Sequence, residues 1–111
     1  MNNLQKILHK YKENPIAIYG LGTEAERVLN EIGAEFHILG LLDGSREDGV
    51  IYGKPIISLP YAIAKQVKLI IVVARPGSYR AIIKRIGKIC KENQIAVFDI
   101  RGKDLCAQNR T

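Results

Sequence analysis

A chain of 111 residues with 47% hydrophobic and 25% charged side chains has room for one globular domain and a real core. It has no room for a two-halved dinucleotide fold joined to a catalytic domain. The formal charge of +6 favours acidic partners, but the lysines and arginines are scattered and the five Tyr and two Phe form no stacking platform, so nucleic acid is not an expected partner.

Leu4, Ile7, Leu8 and Tyr11 recur at i, i+3, i+4 and i+7, which predicts an amphipathic helix over residues 3–12, packed on the sheet edge or on a partner. Nothing in this stretch resembles the unbroken apolar core of a signal peptide. Asn14-Pro15 breaks the helix, so residues 1–14 form a leader to a domain over residues 15–105. His9 is expected at the surface.

Residues 16–19 read as a strand, Gly20-Leu21-Gly22-Thr23 as a tight turn, and the apolar spacing that follows as a helix to Ile32, stopped by Gly33. Ala25 occupies the third small position of a G-x-G-x-x-G/A fingerprint, which allows close packing of helix on strand. Thr23 and Glu26 stand in the S/T-x-x-E relation of a capping box.

A near-continuous apolar run over residues 36–42 predicts a second strand buried on both faces, with His37 as a satisfied structural residue and Asp43 closing it. Residues 44–53 are polar and glycine-rich. Two short extended pieces around a turn follow over residues 50–57, in place of a crossover helix. Ser58 is the predicted N-cap of a short helix over residues 59–65, with Pro60 tolerated in its first turn.

Residues 68–74 form the next strand, and Arg75-Pro76-Gly77-Ser78 a turn. A helix over residues 79–92 turns Ile82, Ile83, Ile86 and Ile89 inward and Lys84, Arg85, Lys88 and Lys91 outward, with Cys90 as a small buried residue. The last strand spans residues 95–100, and residues 106–111 read as a loose tail. Cys90 and Cys106 form no C-x-x-C pair and no cluster with the histidines, so free thiols are expected, with no zinc or other metal site. The longest apolar run, residues 69–74, is too short to span a bilayer, so the expectation is a cytoplasmic protein with no membrane partner.

Alternating strands and helices imply an α/β fold with a mostly parallel sheet of about five strands, in spatial order 3-2-1-4-5. Ligands of such sheets settle at the carboxyl ends of the strands where the order reverses. The candidate site residues are therefore Gly20, Leu21, Gly22 and Thr23 after the first strand, Asp43 and Ser45 after the second, and Arg75 and Ser78 after the fourth. The glycines let a phosphate approach the peptide N–H groups at the helix start. Asp43, 21 residues beyond Gly22, stands where a carboxylate accepts hydrogen bonds from ribose hydroxyls, or else closes a plain Asp43-Gly44-Ser45 turn. Arg75 and Ser78 suit a phosphate or carboxylate, although Ser78 equally suits a helix cap. Glu24 and Glu26 oppose phosphate binding, since both place negative charge at the positive end of that helix, and Arg27 offsets part of this. The resulting expectations are weak phosphate binding, a ligand displaced toward Asp43, or a vestigial pocket.

The motifs Ile18-Tyr19-Gly20-Leu21-Gly22, Leu39-Gly40-Leu41-Leu42-Asp43, Tyr52-Gly53-Lys54-Pro55-Ile56 and residues 69–74 occur in an order that resembles a family of small Rossmann-like domains in bacterial nucleotide-sugar enzymes. These include the N-terminal domain of sugar acyltransferases and sugar-nucleotide dehydratases and the C-terminal domain of deoxysugar C-methyltransferases. The resemblance covers residues 15–100 and implies a three-layer αβα fold. It also implies a nucleotide sugar or NAD(P) as ligand, held by Gly20, Gly22 and Asp43. The chain departs from the family at Gly44, where a second Asp is common, at Glu24 and Glu26, and in having no catalytic domain after the motifs.

The leading expectation is a noncatalytic nucleotide or nucleotide-sugar binding domain. The alternatives are a structural domain with a lapsed pocket that dimerises through the leader helix or a sheet edge, and a small NAD(P)-dependent oxidoreductase. No general acid or base is placed by the sequence.

Overall fold

The computed structural model describes residues 3–107. Helix α1 spans Asn3–Lys10, strand β1 Ile16–Tyr19, helix α2 Thr23–Ile32 and strand β2 Ile38–Leu42. Strands β3 (Val50–Ile51) and β4 (Lys54–Pro55) form a hairpin, followed by helix α3 (Leu59–Ala64) and strand β5 (Leu69–Val72). A 3-10 turn over Pro76–Ser78 leads into helix α4 (Tyr79–Glu92), and strand β6 spans Ala96–Asp99.

The main sheet has four parallel strands in the order β2-β1-β5-β6. Tyr19 pairs with Leu42 on one side and Val72 on the other, so β1 is where the chain's direction of winding reverses. The expected fifth strand is reduced to a single parallel bridge between Leu41 and Ile56 on the far side of β2, just after the two-stranded hairpin. With β3 and β4 only two residues each, the chain has no length there for a full ladder. The position of that bridge nonetheless follows the expected order.

Two apolar layers sandwich the sheet. Ala25, Val28, Leu29 and Ile32 of α2, spaced i, i+3, i+4 and i+7, pack with Ile16, Ile18, Leu69 and Ile71 on one face. Ile82, Ile83, Ile86 and Cys90 of α4 pack with Ala17, Tyr19, Ile70 and Val72 on the other. Successive strand residues thus serve opposite layers, as the period of two requires. This is a three-layer Rossmann-like arrangement with α1 and α2 on one side and α3 and α4 on the other.

Several local expectations need correction. The N-cap of α2 is Gly22, with no side-chain cap, so Thr23 is the first helical residue and no capping box forms. Ser78 likewise caps nothing with its hydroxyl. Ser58 does cap α3, accepting the Tyr61 N–H at 3.1 Å. Helix α1 ends at Lys10 and β2 starts at Ile38, leaving His37 exposed before the strand. Ile89 is 43% exposed, because the buried stripe of α4 continues through Cys90 instead.

The α1 stripe is used by the chain's own core. Leu8 is fully buried, and Leu4, Ile7 and Tyr11 pack against the α2 layer. His9, partly exposed, meets Glu35 at 3.4 Å and stands edge-on to Phe36 with ring centroids 5.1 Å apart. Cys106 and Ala107 donate their N–H groups to Asp104 Oδ1, and residues 108–111 of the expected loose tail lie outside the described residues. No helix among the described residues is long and apolar enough to cross a membrane.

Candidate functional site at the carboxyl ends of the strands

The turn from β1 into α2 is threaded between its two neighbouring strands. The Gly20 N–H donates to the Leu42 carbonyl at 2.9 Å, and the Val73 N–H donates to the Tyr19 carbonyl at 2.9 Å. Gly20 has φ +145°, and a Cβ there would lie 2.4 Å from the Val73 carbonyl oxygen. Glycine is therefore required at position 20 by the protein's own backbone.

Gly22 is a different case. It is exposed, its φ of −79° is open to any residue, and a Cβ would meet nothing within 4 Å. No side chain caps the helix it precedes, and the space where a Gly22 Cβ would lie is open.

Charge around this helix start is partly neutralised within the helix. Arg27 donates to Glu24 Oε2 at 2.8 Å and to Glu31 Oε1 at 2.6 Å, and this hydrogen bonding holds the Glu24 carboxyl below its ordinary pKa. The Glu24 charge is thereby drawn along the outer face of α2. Glu26 is half-buried and has no ion-pair partner among the described residues.

A side chain that the sequence places only in the hairpin motif also reaches the turn. Tyr52 and Gly53, both with positive φ (54° and 76°), make the two-residue turn of the β3–β4 hairpin. The Tyr52 hydroxyl donates to the Leu21 carbonyl at 2.8 Å. Since the peptide bond is trans, fixing the Leu21 carbonyl fixes the following Gly22 N–H in the opposite direction. The motif Tyr52-Gly53 is visible in the sequence as a hairpin turn, but a bond across 31 residues is not.

Asp43 and Ser45 face a separate cavity of about 330 Å³ on the α3–α4 side of the sheet, together with Tyr19, Ser58, Arg85 and Ile89. Asp43 Oδ2 accepts both the Ser45 N–H and the Ser45 hydroxyl at 3.0 Å. Burial disfavours the ionised form of Asp43, but the hydrogen bonds from Ser45, Gly44 and Arg46 outweigh it and hold the carboxyl below its ordinary pKa. Asp43 is thus an ionised acceptor at neutral pH that also shapes its own turn. Arg85 Nη1 donates to the Gly44 carbonyl, tying α4 to the loop after β2. Burial raises the Tyr19 hydroxyl above its ordinary pKa, Arg85 works against this, and Asp43 adds to it.

The structure therefore brings Gly20 against the end of β2, one residue before Asp43, while Gly22 and Thr23 project on the α2 side and Asp43 and Ser45 on the other. Arg75 and Ser78 are both exposed after β5, where the Ser78 N–H bonds the Arg75 carbonyl at 2.8 Å, and neither lines the 330 Å³ cavity. Tyr19, Ser58 and Arg85 were missed as cavity residues. Arg85 in particular reads as an outward-facing helix position, and only the tertiary path of the β2 loop brings Gly44 to it. Among the described residues no group of three or more His, Cys, Asp or Glu side chains is placed to hold a metal ion.

No protein-family model matches the chain, and no curated protein matches it in sequence. Solved structures that share its fold include two sugar-modifying enzymes. A UDP-D-quinovosamine 4-dehydrogenase from Vibrio fischeri superposes with a TM-score of 0.58 at 19% identity, over 76% of this chain and 75% of that one. A mutant perosamine N-acetyltransferase from Caulobacter crescentus, in complex with CoA and GDP-perosamine, superposes with a TM-score of 0.54 at 15% identity, over 75% of this chain and 40% of that one. The likeness is one of fold: a Rossmann-like domain of the kind found in enzymes that modify nucleotide-linked sugars.

Proposed function

We propose that the chain is a noncatalytic binding domain for a nucleotide sugar or NAD(P), acting with or within a bacterial sugar-modifying system in the cytoplasm. The observation that carries this reading is Gly22: its backbone does not need glycine, yet a side chain is absent where α2 starts uncapped. A helix start of this kind accepts a phosphate through its N–H groups and its dipole. Asp43, ionised and one residue beyond the Leu42 carbonyl that holds Gly20, is the acceptor for ribose hydroxyls. Two neighbours in fold are nucleotide-sugar enzymes from bacteria, one of them with GDP-perosamine in its complex, which supports this ligand class.

Glu26 keeps the binding weak in this reading, because its charge stays near the anion while that of Glu24 is paired. Calorimetry with UDP-sugars, GDP-sugars and NAD(P) is the direct test. At least one is expected to bind more tightly than about 1 mM. Silence from all of them removes the reading. The dimerisation alternative loses its leader-helix surface, since the α1 stripe lies on the chain's own core, and keeps only its sheet-edge form.

A further inference from the structure

The cavity of about 330 Å³ on the α3–α4 side of the sheet holds more polar groups than a ribose needs. Asp43 is assigned to the ribose, Ser45 bonds to Asp43, and Ser58 caps α3. Tyr19, Glu47 and Arg85 remain.

Tyr19 carries the argument. The residue is 7% exposed, yet its hydroxyl makes no hydrogen bond among the described residues and opens into the cavity. A hydroxyl held in such a place without a protein partner forgoes hydrogen bonds that water or a ligand supplies. The Tyr19 hydroxyl and Arg85 Nη1 both reach the space beside Gly44, where a Cβ would lie 3.4 Å from the first and 2.7 Å from the second. Arg85 gives one N–H to the Gly44 carbonyl, and its guanidinium has further donors for a ligand. Glu47 also lines the cavity, exposed and in no ion pair among the described residues.

The rest of the lining is apolar. Ile57 and Leu59 come from the chain entering α3, and Ile86 and Ile89 from α4. A flat heteroaromatic ring suits such a lining, because its faces bury against aliphatic side chains while its edge carries hydrogen-bonding groups.

We infer that this cavity takes the nucleobase of the ligand and selects guanine, with Glu47 accepting from the N1–H and N2 amino groups and Arg85 and Tyr19 donating to O6 and N7. The inference rests on the nucleotide reading above. Guanine is the common base whose edge presents two adjacent N–H donors followed by two acceptors. Adenine brings a ring-nitrogen acceptor, and uracil a carbonyl oxygen, to where the second carboxylate oxygen of Glu47 lies, and either pair repels. Tyr19 directly precedes Gly20, and Asp43 directly follows the Leu42 carbonyl that holds the Gly20 N–H at 2.9 Å. A ribose at Asp43 therefore lies between a base in this cavity and a diphosphate at the glycine turn.

The test is calorimetry of the full chain with GDP, IDP, ADP and UDP, together with NMR of its isoleucine methyl groups. GDP is expected to bind at least about tenfold more tightly than ADP or UDP. IDP, which lacks the N2 amino group, is expected to bind about fivefold more weakly than GDP, and Glu47→Gln to narrow that difference to within about twofold. The thermal midpoint of Glu47→Gln is expected to stay unchanged, since the side chain is exposed and unpaired among the described residues. Tyr19→Phe keeps the ring in the core and removes a hydroxyl with no partner there, so it is expected to weaken GDP about fivefold at an unchanged thermal midpoint. The ring current of the base is expected to move the methyl resonances of Ile57, Ile86 and Ile89.

Equal affinity for GDP, ADP and UDP, or a preference for either of the last two, overturns the inference and leaves the nucleotide reading standing. So do GDP and IDP of equal affinity, equal weakening of all four nucleotides by Glu47→Gln, and GDP binding that leaves those methyl groups unmoved. Silence from all four at about millimolar concentration removes the inference and the nucleotide reading together.

Discussion

Two glycines two residues apart serve different ends, and substitution separates them. Gly20→Ala forces a Cβ onto the Val73 carbonyl at a positive φ, and is expected to lower stability by about 2 kcal/mol or more, read as a drop in thermal midpoint. Gly22→Asp meets no neighbour and supplies the missing cap, so it is expected to leave stability unchanged or raise it by about a few tenths of a kcal/mol. The same substitution places a carboxylate over the open amides. It is expected to weaken any diphosphate ligand at least about tenfold in calorimetry. A residue that stabilises the fold while removing binding distinguishes a ligand site from a structural turn. Cys90 gives a pH signature. Burial, with a smaller contribution from Cys106, pushes its thiol up to about 12. The native state therefore holds the proton that the unfolded chain releases near pH 9, and the stability it lends is present below that pH and declines as pH rises from about 9 toward 12. Urea unfolding across that range is expected to show the decline, and Cys90→Ala to flatten it.

Among the elements, those with local signatures were legible and those set by tertiary contact were not. The apolar spacing of α2 depends only on its own residues, and Ala25, Val28, Leu29 and Ile32 are buried as that spacing implies. Ser58 caps α3 because its cap bond reaches only three residues ahead. The capping box at Thr23 failed for a reason outside its own four residues. Gly20 must pass under the Val73 carbonyl, and the helix then starts at Thr23, one residue earlier than a Thr23 N-cap would place it. In the candidate site, Asp43 and the glycine turn were legible as loop residues at strand ends. Tyr52 on Leu21 and Arg85 on Gly44 were not, since each closes over 31 or 41 residues. The turn after β6 shows how one side chain sets an element's course. Asp99, only 5% exposed, takes the Arg101 and Lys103 N–H groups on Oδ1, both at 2.9 Å. Asp99→Ala leaves both donors without their acceptor and is expected to destabilise the protein by about 1–3 kcal/mol in chemical denaturation.

For the molecule as a whole, the sheet order places one conformationally obligate turn at the end of β1 and one acidic loop at the end of the neighbouring β2, and the proposed function rests on both serving a single ligand. The Tyr52 hydroxyl links the hairpin to that turn and sets the direction of the Gly22 N–H. Tyr52→Phe is therefore expected to keep the packing and most of the stability while weakening a diphosphate ligand more than the corresponding nucleoside, a difference visible in parallel calorimetric titrations. The most direct measurement is an NMR titration of the uniformly labelled chain with a GDP-sugar and a UDP-sugar, reading every backbone amide. The proposed site is expected to shift the amides of Gly22, Thr23 and Glu24 together with those of Asp43 to Ser45, and Gly22→Asp to abolish both sets. Amides at the glycine turn that stay unmoved while the ligand shifts residues elsewhere, or no shift with either sugar nucleotide, would contradict it.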